Sequence, residues 1–284
     1  MSSSRYRIDH TSHYRYDQEV SASYNEARLN PVTTRWQSPL ESTVRIDDAT
    51  WQHTYIDYWG TQVRVFEVSR PHRELVVSAR SLVEVDPSVR SRPQYAISWD
   101  ALRGRTVLED LGEYLTQTPS TLPPRDLSDT ADEIAQRSDP QAAALAISTT
   151  VYEQMTYEPG STGVYTPAHE AWAARRGVCQ DYAHLVVGAL REVGIPARYV
   201  SGYLHPTKEP VLGESAIGES HAWVEWWLGE WVAHDPTNNS EVGERHVMVG
   251  AGRDYGDVPP IKGIVAGTPV TTDLRVTVEI TRLA

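Results

Sequence analysis

Cys179, His221 and Asp235 are the residues of this chain whose types and order could do covalent chemistry. They stand in Gly177-Val178-Cys179-Gln180-Asp181-Tyr182, in Ser220-His221-Ala222-Trp223 and in His234-Asp235-Pro236-Thr237-Asn238. Cys179 is the single cysteine among 284 residues. A cysteine with a histidine and an aspartate downstream offers a nucleophile, a general base and a group to orient that base. The thiolate is the reactive form, so the chemistry needs a setting that favours the anion. The imidazole must take up and return a proton near neutral pH, and the carboxylate must fix its tautomer.

The elements that would carry these residues can be read from spacing. Ala183, Val186, Val187, Leu190 and Val193 predict a helix over 181–193 with one apolar stripe, ended by Gly194 and Pro196. Cys179 then falls in its first turn or cap, where unpaired backbone N–H groups and the helix dipole favour an anion. The Cys179 N–H would also donate to a tetrahedral oxyanion, an effect of roughly 3–4 kcal/mol on a barrier. Residues 221–227 alternate, with His221, Trp223, Glu225 and Trp227 on one face. Gly229-Glu230 signals a turn, and 231–235 returns as the partner strand. A two-residue loop would set Asp235 opposite Val224, on the wrong face from His221. The expectation is therefore a loop with an odd number of residues, or a bulge. His221 would then bind Asp235 through one ring nitrogen and face Cys179 with the other.

The three stretches Gly177 to His184, Ser220 to Glu225 and Asp235 to Asn238 resemble, in order, the three boxes of the bacterial transglutaminase-like superfamily. The resemblance extends to Tyr157-Glu-Pro-Gly-Ser-Thr162 ahead of the cysteine and to 246–260 behind the aspartate. The N-terminal segment, with His10-Thr-Ser-His-Tyr14 and Arg28-Leu-Asn-Pro31, is similar to the β-domain that precedes the core in bacterial members. The resemblance implies papain-like thiol chemistry on an α+β core, with Cys179, His221 and Asp235 as a triad.

Other residues offer weaker signals for chemistry. A zinc site from Cys179, His184, His205, His221 or His234 lacks Cys-x-x-Cys or His-x-x-x-His spacing and offers one sulfur. Calcium has no clustered acidic loop to bind it, and no metal or cofactor is expected. His234 should point away from Asp235's face, and His184 should be a structural hydrogen-bonder. Candidate substrate contacts are Tyr157, Gln180, Trp223 and Arg253. Tyr157 either supplies a second oxyanion donor, binds acyl substrate or packs its loop on the core. Arg253 either binds a substrate carboxylate or pairs with Asp254. Gly250-Ala-Gly252 lacks the lysine and the strand–helix context of a phosphate loop.

The expected fold class is α+β: an antiparallel β-sandwich-like domain, then a papain-type core whose catalytic helix packs on an antiparallel sheet. Residues 1–90 form the β-domain, with alternation from Tyr6 to Tyr16 and strands at 43–46, 54–58, 62–68 and 75–85. Residues 91–138 hold a linker and short helices at 106–116 and 128–137. Residues 139–265 form the catalytic core. Asp139-Pro140 opens a helix to about Met155, and Thr166-Pro167 repeats that signal. A strand at 197–204 is followed by a loop at 205–219, expected to be a mobile lid. Residues 266–284 supply a strand that returns to the β-domain.

The net charge of −12 disfavours nucleic acid and anionic membranes as partners. No apolar run approaches the roughly 18–20 residues that span a bilayer, and the first residues do not resemble a signal peptide. One cysteine permits no intramolecular disulfide, which points to the cytoplasm. The expected activity is hydrolysis of an amide or isopeptide bond in a peptide or protein, through a thioester. Alternatives are γ-glutamyl transfer to an amine, small-molecule acyl transfer as in arylamine acetyltransferases, and a non-catalytic binding module.

Overall fold

The computed structural model describes residues 3–86, 88, 97–267 and 272–284. The N-terminal part contains β1 (Ser4–Val20), β2 (Ala22–Ala27), β3 (Gln37–Ile46), β4 (Trp51–Ile56), β5 (Gln62–Val68) and β6 (His72–Val85). Helices follow: α1 (Trp99–Leu102), α2 (Arg105–Leu111), α3 (Arg125–Arg137) and α4 (Pro140–Gln154). The short strands β7 (Thr156–Tyr157) and β8 (Arg176–Gly177) flank α5 (Ala168–Ala174), and α6 (Cys179–Glu192) comes next. The chain continues with β9 (Ala197–Leu204), β10 (Ser215–Trp227), β11 (Trp231–Asp235), β12 (Ser240–Glu241) and β13 (His246–Gly252). It closes with β14 (Ile261–Ala266) and β15 (Thr272–Arg282). The fold class is the expected α+β arrangement with antiparallel sheets.

One sheet runs β12-β11-β10-β15-β1-β6-β3, with β9 joining β10 to β13; a second runs β14-β2-β5-β4. Alternation along β1 buries Tyr6, Ile8, His10 and Ser12 on one face. The terminal strand β15 pairs with β1 from Tyr6 opposite Arg282 to Tyr16 opposite Thr272. Strand β10 joins the two halves. Its residues 215–218 pair with β15, and its residues 219–226 pair with β9. Tyr6 and Ile8 of β1 pack with Tyr203 of β9 and with Val247 and Val249 of β13. The N-terminal sheet thus shares apolar surface with the sheet that carries His221.

The largest core lies between the helices and the β9–β10 region, and it includes Trp172, Leu185, Leu190, Tyr199 and Trp226. Each such side chain contributes roughly 1.5–3 kcal/mol on leaving water. Helix α6 is buried nearly all round rather than on the one stripe its spacing suggested. Its polar residues are satisfied in place. Arg191 donates to the carbonyls of Tyr114, Thr116, Ala197 and Arg253. At Gly188 a Cβ would sit 1.8 Å from the Thr121 carbonyl oxygen, so only glycine lets that segment approach.

Several boundaries differ from expectation. The helix expected at 106–116 stops at Leu111, and Gly112–Tyr114 tightens into a single 3-10 turn. Helix α3 begins at Arg125, directly after Pro124. Asp139 caps α4 as expected, accepting the Ala142 N–H at 2.9 Å. Thr166 does not cap α5; its hydroxyl accepts from the Gly163 N–H instead. The last third of the expected 205–219 lid is strand, because Ser215 to Gly218 find hydrogen-bond partners on β15, far away in sequence. Strand β2 was not expected; its pairing with β5 and β14 is also non-local. Residues 87 and 89–96 lie outside the described residues, and the start of the linker expected from residue 91 falls among them. Among the described residues, no helix is long and apolar enough to cross a membrane.

Candidate active site

Cys179 is the first residue of α6, and Val178 holds the N-cap position. At that position the backbone N–H has no partner within the helix. Val178 has no side-chain oxygen to cap with, so Asp181 caps from inside the first turn. Its Oδ2 accepts the Val178 N–H at 2.7 Å and the Thr162 hydroxyl at 2.6 Å. Burial pushes the Asp181 carboxyl upward, against the pull of the hydrogen bonds from Thr162 and Val178. Gly177 leaves room for this carboxylate: a Cβ there would fall 2.6 Å from Asp181 Oδ2. Ahead of it, Arg175 adopts φ 54° and turns the chain from α5 into β8.

His221 and Asp235 come together through the hairpin. Trp227 pairs with Trp231, so the loop is Leu228, Gly229 and Glu230. Gly229 takes φ 91°, a left-handed conformation suited to glycine. Three residues in the loop put Asp235 on the same face as His221 and Trp223, as an odd loop requires. His221 Nε2 lies 2.8 Å from Asp235 Oδ2. Burial works against a charge on His221, but hydrogen bonds to Asp235 and Cys179 outweigh it and lift its pKa to about 10. Burial also favours a neutral Asp235, yet hydrogen bonds from His221 and His246 hold its carboxyl far below the usual carboxylate range.

Asp235 is anchored by five donors. Oδ1 accepts the N–H groups of Thr237 and Asn238 at 3.0 and 3.2 Å. Oδ2 accepts the Asn238 side-chain amide at 2.7 Å, besides His221 at 2.8 Å and His246 at 3.1 Å. The sequence signal for the first three was present: Asp-Pro-Thr-Asn is turn chemistry in which an aspartate binds the backbone two residues on. His246 had no such signal, because β13 reaches Asp235 only through the fold.

The four candidate substrate contacts do not share one setting. Gln180 is nearly buried, and its amide donates to the Val164 carbonyl at 3.1 Å, tying the 158–167 loop to α6. Tyr157 is 44% exposed on β7. Trp223 is 0% exposed and has no surface to offer a substrate. It lies instead beneath the site, with its ring 6.3 Å from that of His221 and 5.4 Å from that of His246. Gly202 makes that possible, since a Cβ there would meet the Trp223 ring at 2.6 Å and the Val247 oxygen at 2.2 Å. Arg253 pairs with Asp257, not Asp254, at 2.9 and 3.0 Å, and its guanidinium sits 5.2 Å from the Trp59 ring centroid.

The other histidines hold structure. His184 Nε2 accepts the Tyr255 N–H at 3.1 Å, and burial pushes its pKa down to about 4. His205 accepts the Thr207 N–H, and His234 contacts the Asn239 amide on the far side of the hairpin. His221, Asp235 and His246 form a donor set within 4.8 Å that has the composition of a metal site. The hydrogen bonds do not fit one. The Gly243 N–H donates to His246 Nδ1 at 3.2 Å, so the ring proton occupies Nε2, the nitrogen a metal would need.

A family model for the transglutaminase-like superfamily matches residues 128–236, and one for the bacterial transglutaminase-like N-terminal region matches residues 6–84. The chain belongs to the transglutaminase-like superfamily. An uncharacterized protein of Mycobacterium leprae is 43% identical over 283 residues, covering 99% of both chains. A protein-glutamine γ-glutamyltransferase of Pseudomonas aeruginosa is 31% identical over 51% of this chain and 24% of its own length. A Cytophaga hutchinsonii crystal structure, of a candidate cysteine protease, shares the fold with a TM-score of 0.79. It is 20% identical and is matched over 100% of this chain and 92% of its own.

Proposed function

We propose that this chain is a cysteine-dependent hydrolase of amide or isopeptide bonds in a peptide or protein, working through Cys179, His221 and Asp235. The observation that carries the reading is a buried His221, held by Asp235 and poised to stay protonated beside Cys179 at a helix N-terminus. An imidazolium next to a thiol stabilises the thiolate.

The Cys179 sulfur attacks the carbonyl carbon, and the Cys179 N–H receives the developing oxyanion. Asp235 occupies Nε2 of His221, so Nδ1 carries the proton to the departing amine as the C–N bond breaks. A thioester remains on Cys179. His221 then takes a proton from water, the hydroxide adds to the thioester, and the thiolate leaves with the acid released. Asp235 keeps its charge throughout and stabilises the imidazolium. Hydrolysis needs no second bound reactant. Transfer to an amine would need an amine-binding subsite as well.

The γ-glutamyltransferase name of the Pseudomonas relative favours that second reading. A partition experiment separates the two. The protein is incubated with a glutamine-containing protein and a fluorescent primary amine, while free ammonia, new amino termini and incorporated label are measured. Cleavage products or ammonia without label, abolished by Cys179→Ala, support hydrolysis. Label in excess of hydrolysis supports the transferase. No product of either kind, with an unreactive Cys179, would return the chain to the class of binding modules. Residence in the cytoplasm is part of the same proposal and rests on the single cysteine.

A further inference from the structure

Asp235 carries two histidines. Its Oδ2 lies 2.8 Å from His221 Nε2 and 3.1 Å from His246 Nε2. His246 is buried on β13, which pairs with β9 rather than with the hairpin that holds the other two residues. Its Nδ1 receives the Gly243 backbone N–H at 3.2 Å. A backbone N–H can only donate, so Nδ1 is bare and Nε2 bears the proton. Both ring nitrogens of His246 are then used by one neutral tautomer. Its ring stands against Trp223, at 5.4 Å and 77°, which fixes its plane.

We propose that His246 is a positioning residue: an Nε2–H donor that holds the Asp235 carboxylate in place and moderates its pull on His221. The proposal rests on the triad reading above. A carboxylate oxygen that served His221 alone would give its whole charge to the imidazolium. Shared with His246 and with the Asn238 amide at 2.7 Å, the same oxygen stays ionised and holds one orientation. It also attracts the His221 proton less strongly. A base that must return its proton to a leaving amine works best when that proton is not held too tightly.

The charged and titratable groups around Asp235 are few. His221 faces it from β10 with Cys179 beyond, and His246 faces it from β13. On the other face of the hairpin, His234 feels Asp235 and Glu241. None of these can replace the donor that His246 provides to Oδ2.

Two substitutions isolate that donor. His246→Gln keeps an amide N–H where Nε2 stands. His246→Asn is shorter; its oxygen can still accept from Gly243, but its amide does not reach Asp235. The histidine rings are followed by NMR titration in wild type and both variants. The expected result is a His221 midpoint raised by about one pH unit in His246→Asn and restored in His246→Gln. Equal midpoints in the two variants, whether shifted or not, would overturn the proposal. The wild-type protein gives an independent reading that needs no substitution. Ring nitrogen shifts should show His246 as the neutral Nε2–H tautomer throughout the histidine range. A charged ring, or the Nδ1–H tautomer, would overturn it as well. Iodoacetamide alkylation of Cys179 in wild type and His221→Ala tests the triad separately. If those two rates agree, the triad reading fails whatever tautomer His246 shows.

Discussion

His221 and Asp235 lie on different strands yet share one face, because the loop between Trp227 and Trp231 holds three residues. Their 2.8 Å hydrogen bond is a consequence of that parity. Removing one residue from the returning strand itself flips every side chain beyond it to the other face. Deleting Val232, with the three-residue loop and the Trp227–Trp231 pair kept, should therefore set Asp235 opposite Val224 while leaving most of the sheet paired. The His221 pKa is expected to fall from about 10 toward its ordinary 6.5. Histidine ring titration checks this, with circular dichroism to verify the fold. An unchanged midpoint would mean that another group sustains the His221 charge.

Alkylation of Cys179 by iodoacetamide should be fast at neutral pH and should depend on His221. In His221→Ala the rate should drop several-fold, because the imidazolium that favours the thiolate is gone. Equal rates in the two proteins would remove the ion pair from the mechanism.

Asp235→Asn keeps the shape of the side chain and removes its charge. His221 would lose the partner that fixes its tautomer, and turnover should fall by roughly 10³–10⁴-fold, as in other triads treated this way. The buried His246 should still hold the amide near its present position. A loss in kcat much larger than any rise in KM is the outcome that fits, and a purely KM effect would not.

Stability should vary with pH in a defined sense. His221 titrates near 10 in the folded chain against 6.5 as its ordinary value. Its contribution is complete below about 6.5 and is lost as pH rises through about 10. The depressed Asp235 acts in the opposite direction: its contribution is present above the ordinary carboxylate value and is lost as strong acid protonates it. Urea unfolding of wild type and His221→Ala should thus diverge most below about pH 6.5, short of the strong acid that protonates Asp235, and converge above pH 10. A constant gap between the two curves would contradict the linkage.

Gly202→Ala tests the floor of the site. The new methyl would start 2.2 Å from the Val247 oxygen and 2.6 Å from the Trp223 ring. Backbone on one side cannot yield, so Trp223 must move, and with it the surface under His221. A loss of about 1–3 kcal/mol or more is expected in chemical denaturation, together with slower Cys179 alkylation. Wild-type stability with slow alkylation would place the effect on the site alone.

Much of this site is local, and so it was legible in the chain. Cys179 follows a glycine at a helix start, His221 sits in an alternating strand, and Asp235 begins an aspartate turn. Each signal spans a few residues and depends on backbone hydrogen bonds that the sequence constrains directly. The hairpin parity was legible only as a condition: chemistry required an odd loop, and the strand pairing supplied one. Trp223 was misjudged because its neighbours are remote. Alternation puts it on the face of His221, but Gly202 of β9 and His246 and Met248 of β13 close over it. Arg253 likewise chose Asp257 over the adjacent Asp254, since a turn after β13 brings Asp257 back onto it.

The sequence by itself determined the α+β class and singled out Cys179, His221 and Asp235 as the candidate nucleophile, base and carboxylate, because those readings rest on residue type and on periods of 2 and 3.6 residues. Tertiary structure alone decided that His246 shares Asp235, that Asp181 binds Thr162, and that β10 is sewn to β15 and β1. These are pairings between residues far apart in the chain. Their partners are chosen by which surfaces meet on folding, and no local propensity encodes that choice.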